Sequence, residues 1–241
     1  MQYGAMILLR DPAILFLKPH KVAGTSFEVA LAQFAAPGDI VTPIGSFTAA
    51  ERAGIGTYKP ANFRYRITEL ASLPTSEWRR AWQRQKWPAR FRSHTSAAEA
   101  EELLPSDDWT KSTKVSIVRN PYDVAVSAYF WMRRPDESFA RFWLENPHLL
   151  GRNQSKYLVN GENVIDLYLR YEHIEDDIAG LETRFSGLAG LGCHFRSLRM
   201  KSGHRPPGAT RQSLFAEAPA VRKLVEKYCA FEIECFGYTP D

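Results

Sequence analysis

A run of apolar residues at 14–17, ILFL, stops at Pro19 and gives way to a loop carrying Lys21, Ala23 and Gly24. Thr25 and Ser26 then open a helix-forming stretch. A strand, a small-residue loop and a helix start, in that order, constrain this chain more than any other feature. The first amides of a helix have no partner within it, and the helix dipole favours negative charge there. With a lysine in the loop and two hydroxyls at the helix start, the segment suits a phosphate or a sulfate. Taken alone, it is explained equally well as a plain strand–turn–helix with a threonine cap. It is not a triphosphatase loop, which wants GxxxxGK followed by Ser or Thr; here the lysine precedes the glycine.

The rest of the chain reads as strands alternating with helices. Residues 13–18 form a first buried strand, 114–118 (KVSIV) a second and 164–171 a third. Helices are expected over 25–36, 76–87, 96–104, 174–186 and 216–230, the last with Val221, Leu224, Val225 and Tyr228 on one face. Asn120 is a good N-cap, Pro121 suits the first helical position, and Asp123 suits the positive helix end. Residues 37–74 give weak signals, and 200–213 form a basic, Gly/Pro-rich loop. Trp78 and Trp82, one turn apart, are expected in the core. The arginines and lysine around them, Arg79, Arg80, Arg84, Lys86, Arg90 and Arg92, are left open as an acceptor-binding face. This alternation implies an α/β fold with a mostly parallel sheet flanked by helices. In such sheets ligands sit at the carboxyl ends of the strands. Lys21, Arg119 and Glu172 each follow a predicted strand and are expected to converge there. A chain of 241 residues fits one domain, spanning 1–241.

A second segment, RNPYDVAVSAY at 119–129, ends a strand in Arg119 and places Ser127 on the following helix. Val124, Ser127, Ala128 and Trp131 share one helical face. A guanidinium and a hydroxyl near one helix start can bind a phosphate. By itself the segment is better explained by an arginine salt bridge and a serine bonding to the carbonyl one turn earlier.

Net charge of +4 and a pI near 8.9 suit anionic ligands. Cys193, Cys229 and Cys235 show no CxxC spacing, so reduced thiols are expected and no metal site. No apolar run approaches the ~20 residues of a membrane span, and the first residues lack the pattern of a signal peptide. These readings point to a soluble, cytoplasmic protein.

Together the two segments are far more specific than either alone. HKVAGTS at 20–26 resembles the 5′-phosphosulfate loop of sulfotransferases that use 3′-phosphoadenosine 5′-phosphosulfate, usually written PKTAGTS. RNPYDVAVSAY resembles the 3′-phosphate motif of that family, at a typical separation of roughly a hundred residues. The resemblance is closest to the carbohydrate-type branch. It extends through RSHTS at 92–96, NQSKYL at 153–158, YEHIEDDI at 171–178, KSGHRPPGATRQ at 201–212 and ECFGY at 234–238, and leaves 37–91 uncovered. His20 stands where the family has proline.

The resemblance implies a P-loop nucleotide-hydrolase-like fold and transfer of a sulfuryl group to an acceptor hydroxyl, on a carbohydrate, without a metal. Lys21 would bind the phosphosulfate and stabilise the leaving phosphate. The amides of Ala23, Gly24, Thr25 and Ser26, with the Thr25 and Ser26 hydroxyls, would cradle the 5′-phosphate. Arg119 and Ser127 would hold the 3′-phosphate, and Lys201 and Arg205 would close over the nucleotide. His94 is the candidate base, chosen over His20, His173 and His204 because the family places a histidine ahead of the second motif; Glu172 is the second candidate. Two rivals are a nucleotide-dependent kinase, which lacks its GK[ST] and metal carboxylate here, and a non-enzymatic module for nucleic acid or anionic glycan. No nucleic-acid partner is expected.

Overall fold

The computed structural model describes residues 6–44, 58–83, 87–91, 95–198, 206 and 208–240. Among these residues the strands are β1 (Met6–Arg10), β2 (Ala13–Leu17), β3 (Ile40–Val41), β4 (Thr113–Val118), β5 (Leu158–Val159), β6 (Glu162–Asn163) and β7 (Leu167–Arg170). The helices are α1 (Gly24–Leu31), α2 (Ile67–Leu70), α3 (Thr75–Gln83), α4 (Ala97–Leu103), α5 (Ser106–Lys111), α6 (Pro121–Met132) and α7 (Phe139–Glu145), followed by α8 (Ile174–Arg184), α9 (Leu191–Ser197), α10 (Arg211–Glu217), α11 (Pro219–Tyr228) and α12 (Ala230–Phe236). A 3₁₀ segment, Pro147–Lys156, links α7 to β5.

The main sheet runs β3-β1-β2-β4-β7. β2, β4 and β7 are parallel neighbours, while β1 is antiparallel to both β2 and β3. Four of the five strands therefore point the same way and only β1 is reversed, which agrees with the mostly parallel sheet expected. β1 itself is unforeseen in the sequence reading, which starts its first strand at residue 13. The Asp11-Pro12 turn folds MILLR back onto AILFL, with Leu8 opposite Leu15. Both faces of this hairpin are covered, so neither strand shows the alternation that marks a half-exposed strand.

Alternate residues feed two cores. Ile7, Leu9, Ile14, Phe16, Val115 and Ile117 pack against α1, α8 and α9 through Phe27, Leu31, Ile178 and Leu191. Met6, Leu8, Leu15 and Leu17 pack the opposite way, with Phe91, Ala97, Ala100, Trp109 and Tyr157. A third cluster joins α6, α7, α10 and α11 through Tyr122, Phe139, Trp143, Phe215 and Val221.

Other boundaries move for local reasons. The strand expected over 164–171 is confined to 167–170, because residues 157–164 make a separate hairpin closed by Asn160 and Gly161, both at positive φ, as an Asn-Gly turn requires. The final helical stretch divides into α11 and α12 at Cys229. The core placement of Trp78 and Trp82 is overturned: they are 40% and 81% exposed, and Trp78 packs edge-on to Trp87 instead. α3 lays no apolar stripe on the sheet, so its tryptophan spacing reflects helical period without burial. All three cysteines are free, with Cys229 buried and the others exposed. Among the described residues, no helix is long and apolar enough to cross a membrane.

Candidate functional site

The carboxyl ends of β2, β4 and β7 lie side by side, and the loop after each carries one of the residues expected to converge. After β2, Lys18 turns inward and forms an ion pair with Glu28 of α1 at 2.8 Å; the two side chains are 5% and 0% exposed. Tyr58 donates a further hydrogen bond to Glu28. This charged strut anchors the loop to the helix that follows it. It also explains Gly24: a Cβ there would lie 2.8 Å from Cγ of Lys18. Gly24→Ala is expected to push Lys18 off Glu28 and destabilise the fold by ~1–3 kcal/mol, the range for overpacking a filled interior. A chemical-denaturation midpoint equal to that of the parent chain would show that the loop relaxes freely.

Between Lys18 and Gly24 the backbone is strained. Lys21 and Ala23 hold φ of 64° and 56°, in the left-handed region that side-chain-bearing residues avoid. Ala23 is the N-cap of α1 and no side chain caps it, so Thr25 is not a cap. The Ala23 carbonyl accepts from the Ser26 and Phe27 amides at 3.0 and 3.3 Å. Ser26 therefore spends its amide inside the helix. The Gly24 and Thr25 amides precede the first helical bond and have no acceptor within the helix. The Thr25 and Ser26 side chains are buried at this helix start, 8% and 5% exposed. Two amides and two hydroxyls at the positive end of a helix are groups that suit an anion.

Arg119, directly after β4, reaches across to this loop. Its Nη1 donates to the Lys21 carbonyl at 2.9 Å, and its guanidinium lies over the Tyr171 ring at 4.1 Å. Its buried Nε has no partner among the described residues. Glu172, after β7, accepts from the Asn120 amide at 2.8 Å and the Tyr238 hydroxyl at 3.0 Å. Its two oxygens clasp the start of α6 and the C-terminal segment. Asn120 caps α6 through Tyr122, as expected, and its amide group donates to Thr239.

α6 turns one face towards the loop. Trp131 lies under the Lys21 ammonium, 4.4 Å from ring centre to Nζ, and Val124 packs on the core beneath α1. Ser127 is half-buried on that same face, one turn from each. The sequence placed Ser127 beside this stripe; it did not show that the stripe meets Lys21.

The residue missed by sequence reasoning is Asn153. It is buried, and its side chain accepts from the His20 amide at 2.8 Å and donates to the His20 carbonyl at 3.1 Å. A proline at position 20 could not supply that amide donor. The signal available in the sequence was the NQSKYL stretch at 153–158. Three residues on, Lys156 is 2% exposed and donates to the Thr95 carbonyl at 3.1 Å. Burial pushes its ammonium down to about 8, against the opposing pull of Glu99. One 3₁₀ segment therefore grips both the Lys21 loop and the chain at Thr95.

His94, Lys201 and Arg205 lie outside the described residues. The end of the basic stretch is described: Arg211 pairs with Asp123 in the first turn of α6 at 3.2 Å. The structure thus brings together Lys21, Ala23, Gly24, Thr25, Ser26 and Arg119, with Ser127 on the adjoining helix face. The carboxylates around them, Glu28, Asp123 and Glu172, are all engaged. Among the described residues, no three His, Cys, Asp or Glu side chains are grouped to hold a metal ion. Compared with protein-family models, curated proteins and solved structures, the chain matches none.

Proposed function

We propose that the chain has the P-loop-like sulfotransferase fold and moves a sulfuryl group from 3′-phosphoadenosine 5′-phosphosulfate to an acceptor hydroxyl on a carbohydrate. The observation that carries this reading is the bond from Arg119 Nη1 to the Lys21 carbonyl. Two segments 98 residues apart, each resembling one phosphate motif of that family, meet at the carboxyl edge of the parallel strands. The residues present suit the donor. An orphaned guanidinium nitrogen awaits an acceptor, and an uncapped helix start with two hydroxyls lies beside a lysine.

In this reading the donor supplies an activated S–O bond. The acceptor oxygen forms the new S–O bond, the old bridging oxygen leaves with its electron pair, and His94 takes the hydroxyl proton. Lys21 and the Gly24 and Thr25 amides stabilise charge on the departing phosphate. Fixed dipoles and a positioned ammonium act there without reorganising, which is where most of the rate comes from in group transfer of this kind. Arg119 and Ser127 hold the 3′-phosphate, and Lys201 and Arg205 cover the nucleotide.

Adenosine 3′,5′-bisphosphate is expected to bind more tightly than ADP and ATP, because only the first offers a 3′-phosphate to Arg119. Each tenfold in affinity corresponds to ~1.4 kcal/mol, so one charge-assisted contact suffices to separate the ligands. Calorimetry and thermal shift measure this directly. Equal affinity for adenosine 3′,5′-bisphosphate and ADP removes the 3′-phosphate site. Preference for ATP with magnesium favours the kinase.

A further inference from the structure

Residues 58–92 differ in charge from the rest of the chain. They carry nine lysines and arginines and two carboxylates, Glu69 and Glu77, a net charge of +7. The whole chain is +4, so everything outside this segment sums to −3. The segment also holds most of the exposed apolar bulk. Among the described residues the large apolar side chains turned to solvent are Ile67, Trp78, Trp82, Trp87 and Leu144, and four of these five lie here. Ile67 is 86% exposed and Trp82 81%. α3 turns Glu77 and Ala81 inward, half-buried, and Trp78, Arg79 and Trp82 outward. Trp78 meets Trp87 with ring centres 6.4 Å apart, and Glu69 of α2 pairs with Arg90 at 3.2 Å. The tryptophans and the helix bearing Ile67 thus belong to one unit. It is fastened at the β3 edge of the sheet, opposite β7, by the Val41–Ala61 bridge and by Phe63 and Phe91 against the core.

We propose that this face docks on an anionic lipid surface, with Ile67 and the three tryptophans entering the headgroup region and the basic residues around them meeting lipid phosphates and carboxylates. An exposed apolar patch rimmed by polar groups marks an interaction site. Three features select a membrane as its occupant. Indole rings settle at headgroup level, where one side of the ring is apolar and the N–H stays wet. Arg79, beside Trp78 and three residues before Trp82, can lay its stem along apolar surface and keep its guanidinium among the headgroups. Ile67 has no π-face and gains little from a stacked base or sugar, whereas hydrocarbon takes it readily. The charge is complementary: the basic excess is confined to this segment, and an anionic leaflet attracts it. A short helix with tryptophans on one side and basic residues beside them is suited to lie in the plane of the interface. The proposal stands apart from sulfuryl transfer, since none of these residues belongs to the donor site.

The test sediments the full chain with vesicles of phosphatidylcholine alone and of phosphatidylcholine and phosphatidylserine in equal parts. The wild type is expected to bind the mixed vesicles about tenfold or more tightly than the neutral ones, and to come off at high salt. Its indole emission should shift to the blue and be quenched by lipids brominated in the acyl chain. Ile67→Ser combined with Trp82→Ser is expected to weaken binding to the mixed vesicles by about tenfold or more. Both side chains face solvent, so the denaturation midpoint should hold. Arg79→Gln should weaken binding to the mixed vesicles by about fivefold and leave the neutral ones unchanged. A wild type that binds neither vesicle, binds both equally, or shows no quenching by brominated lipid overturns the proposal whether or not the variants fold. Unchanged affinity in the double variant overturns it as well. Tighter binding of polyuridylate or heparin than of the mixed vesicles, lost in that same variant, assigns the face to a soluble polyanion and overturns the lipid.

Discussion

Lys21→Ala is expected to slow the proposed sulfuryl transfer by about 10²–10³-fold, the loss seen when one preorganised charge-stabilising group is removed from a transfer site. The fold should survive. Lys21 lies in a loop, and the contact with the Trp131 ring that it gives up is worth ~0.5–1 kcal/mol. Alanine at this position keeps the left-handed backbone no worse than lysine does, since both carry a Cβ. Turnover is followed as adenosine 3′,5′-bisphosphate released in the presence of an accepted sugar, and stability as a denaturation midpoint. Near-normal turnover in a folded variant would place the transferring group elsewhere. A variant that loses turnover together with its midpoint would show Lys21 acting as a loop anchor.

The largest stability effect is expected at the strut beneath the loop. Glu28→Gln leaves the Lys18 ammonium out of water without a counter-charge, and breaking a buried pair from one side costs about 3–5 kcal/mol. That is a large part of the ~5–15 kcal/mol by which a domain is stable. The double variant Lys18→Met with Glu28→Leu removes both charges and should recover most of the loss, because well-packed apolar residues of similar volume replace ion pairs with little penalty. A double variant no more stable than Glu28→Gln would refute the ion pair as the cause and place the loss on the Tyr58 bond to Glu28.

The same strut shows why part of the site was legible and part was not. Lys21, Gly24, Thr25 and Ser26 are contiguous, and local rules for a strand, a turn and a helix start place them without knowledge of the fold. Asn120 and Pro121 mark the start of α6 for the same reason: a cap and a fixed φ act within one turn. β1 was not legible, because a strand covered on both faces carries no alternation and its hairpin depends on a short turn. The burial of Trp78 and Trp82 was misjudged because helical spacing tells which residues share a face and not whether anything packs on it.

By itself the sequence determined the alternation of elements, the ends of the strands at which Lys21, Arg119 and Glu172 stand, and the small-residue loop that opens α1. These follow from interactions within a few residues of chain. Tertiary structure decided which partners those residues meet. It set Arg119 on the Lys21 carbonyl, turned Glu172 into a clasp for Asn120 and Tyr238, seated Lys21 on Trp131, and brought Asn153 across to His20. Each is a contact between segments separated by scores of residues, made because parallel strands lay their carboxyl ends together and the helices that cover them carry their own side chains to that edge. No local propensity specifies such a meeting; burial of the sheet on both faces does.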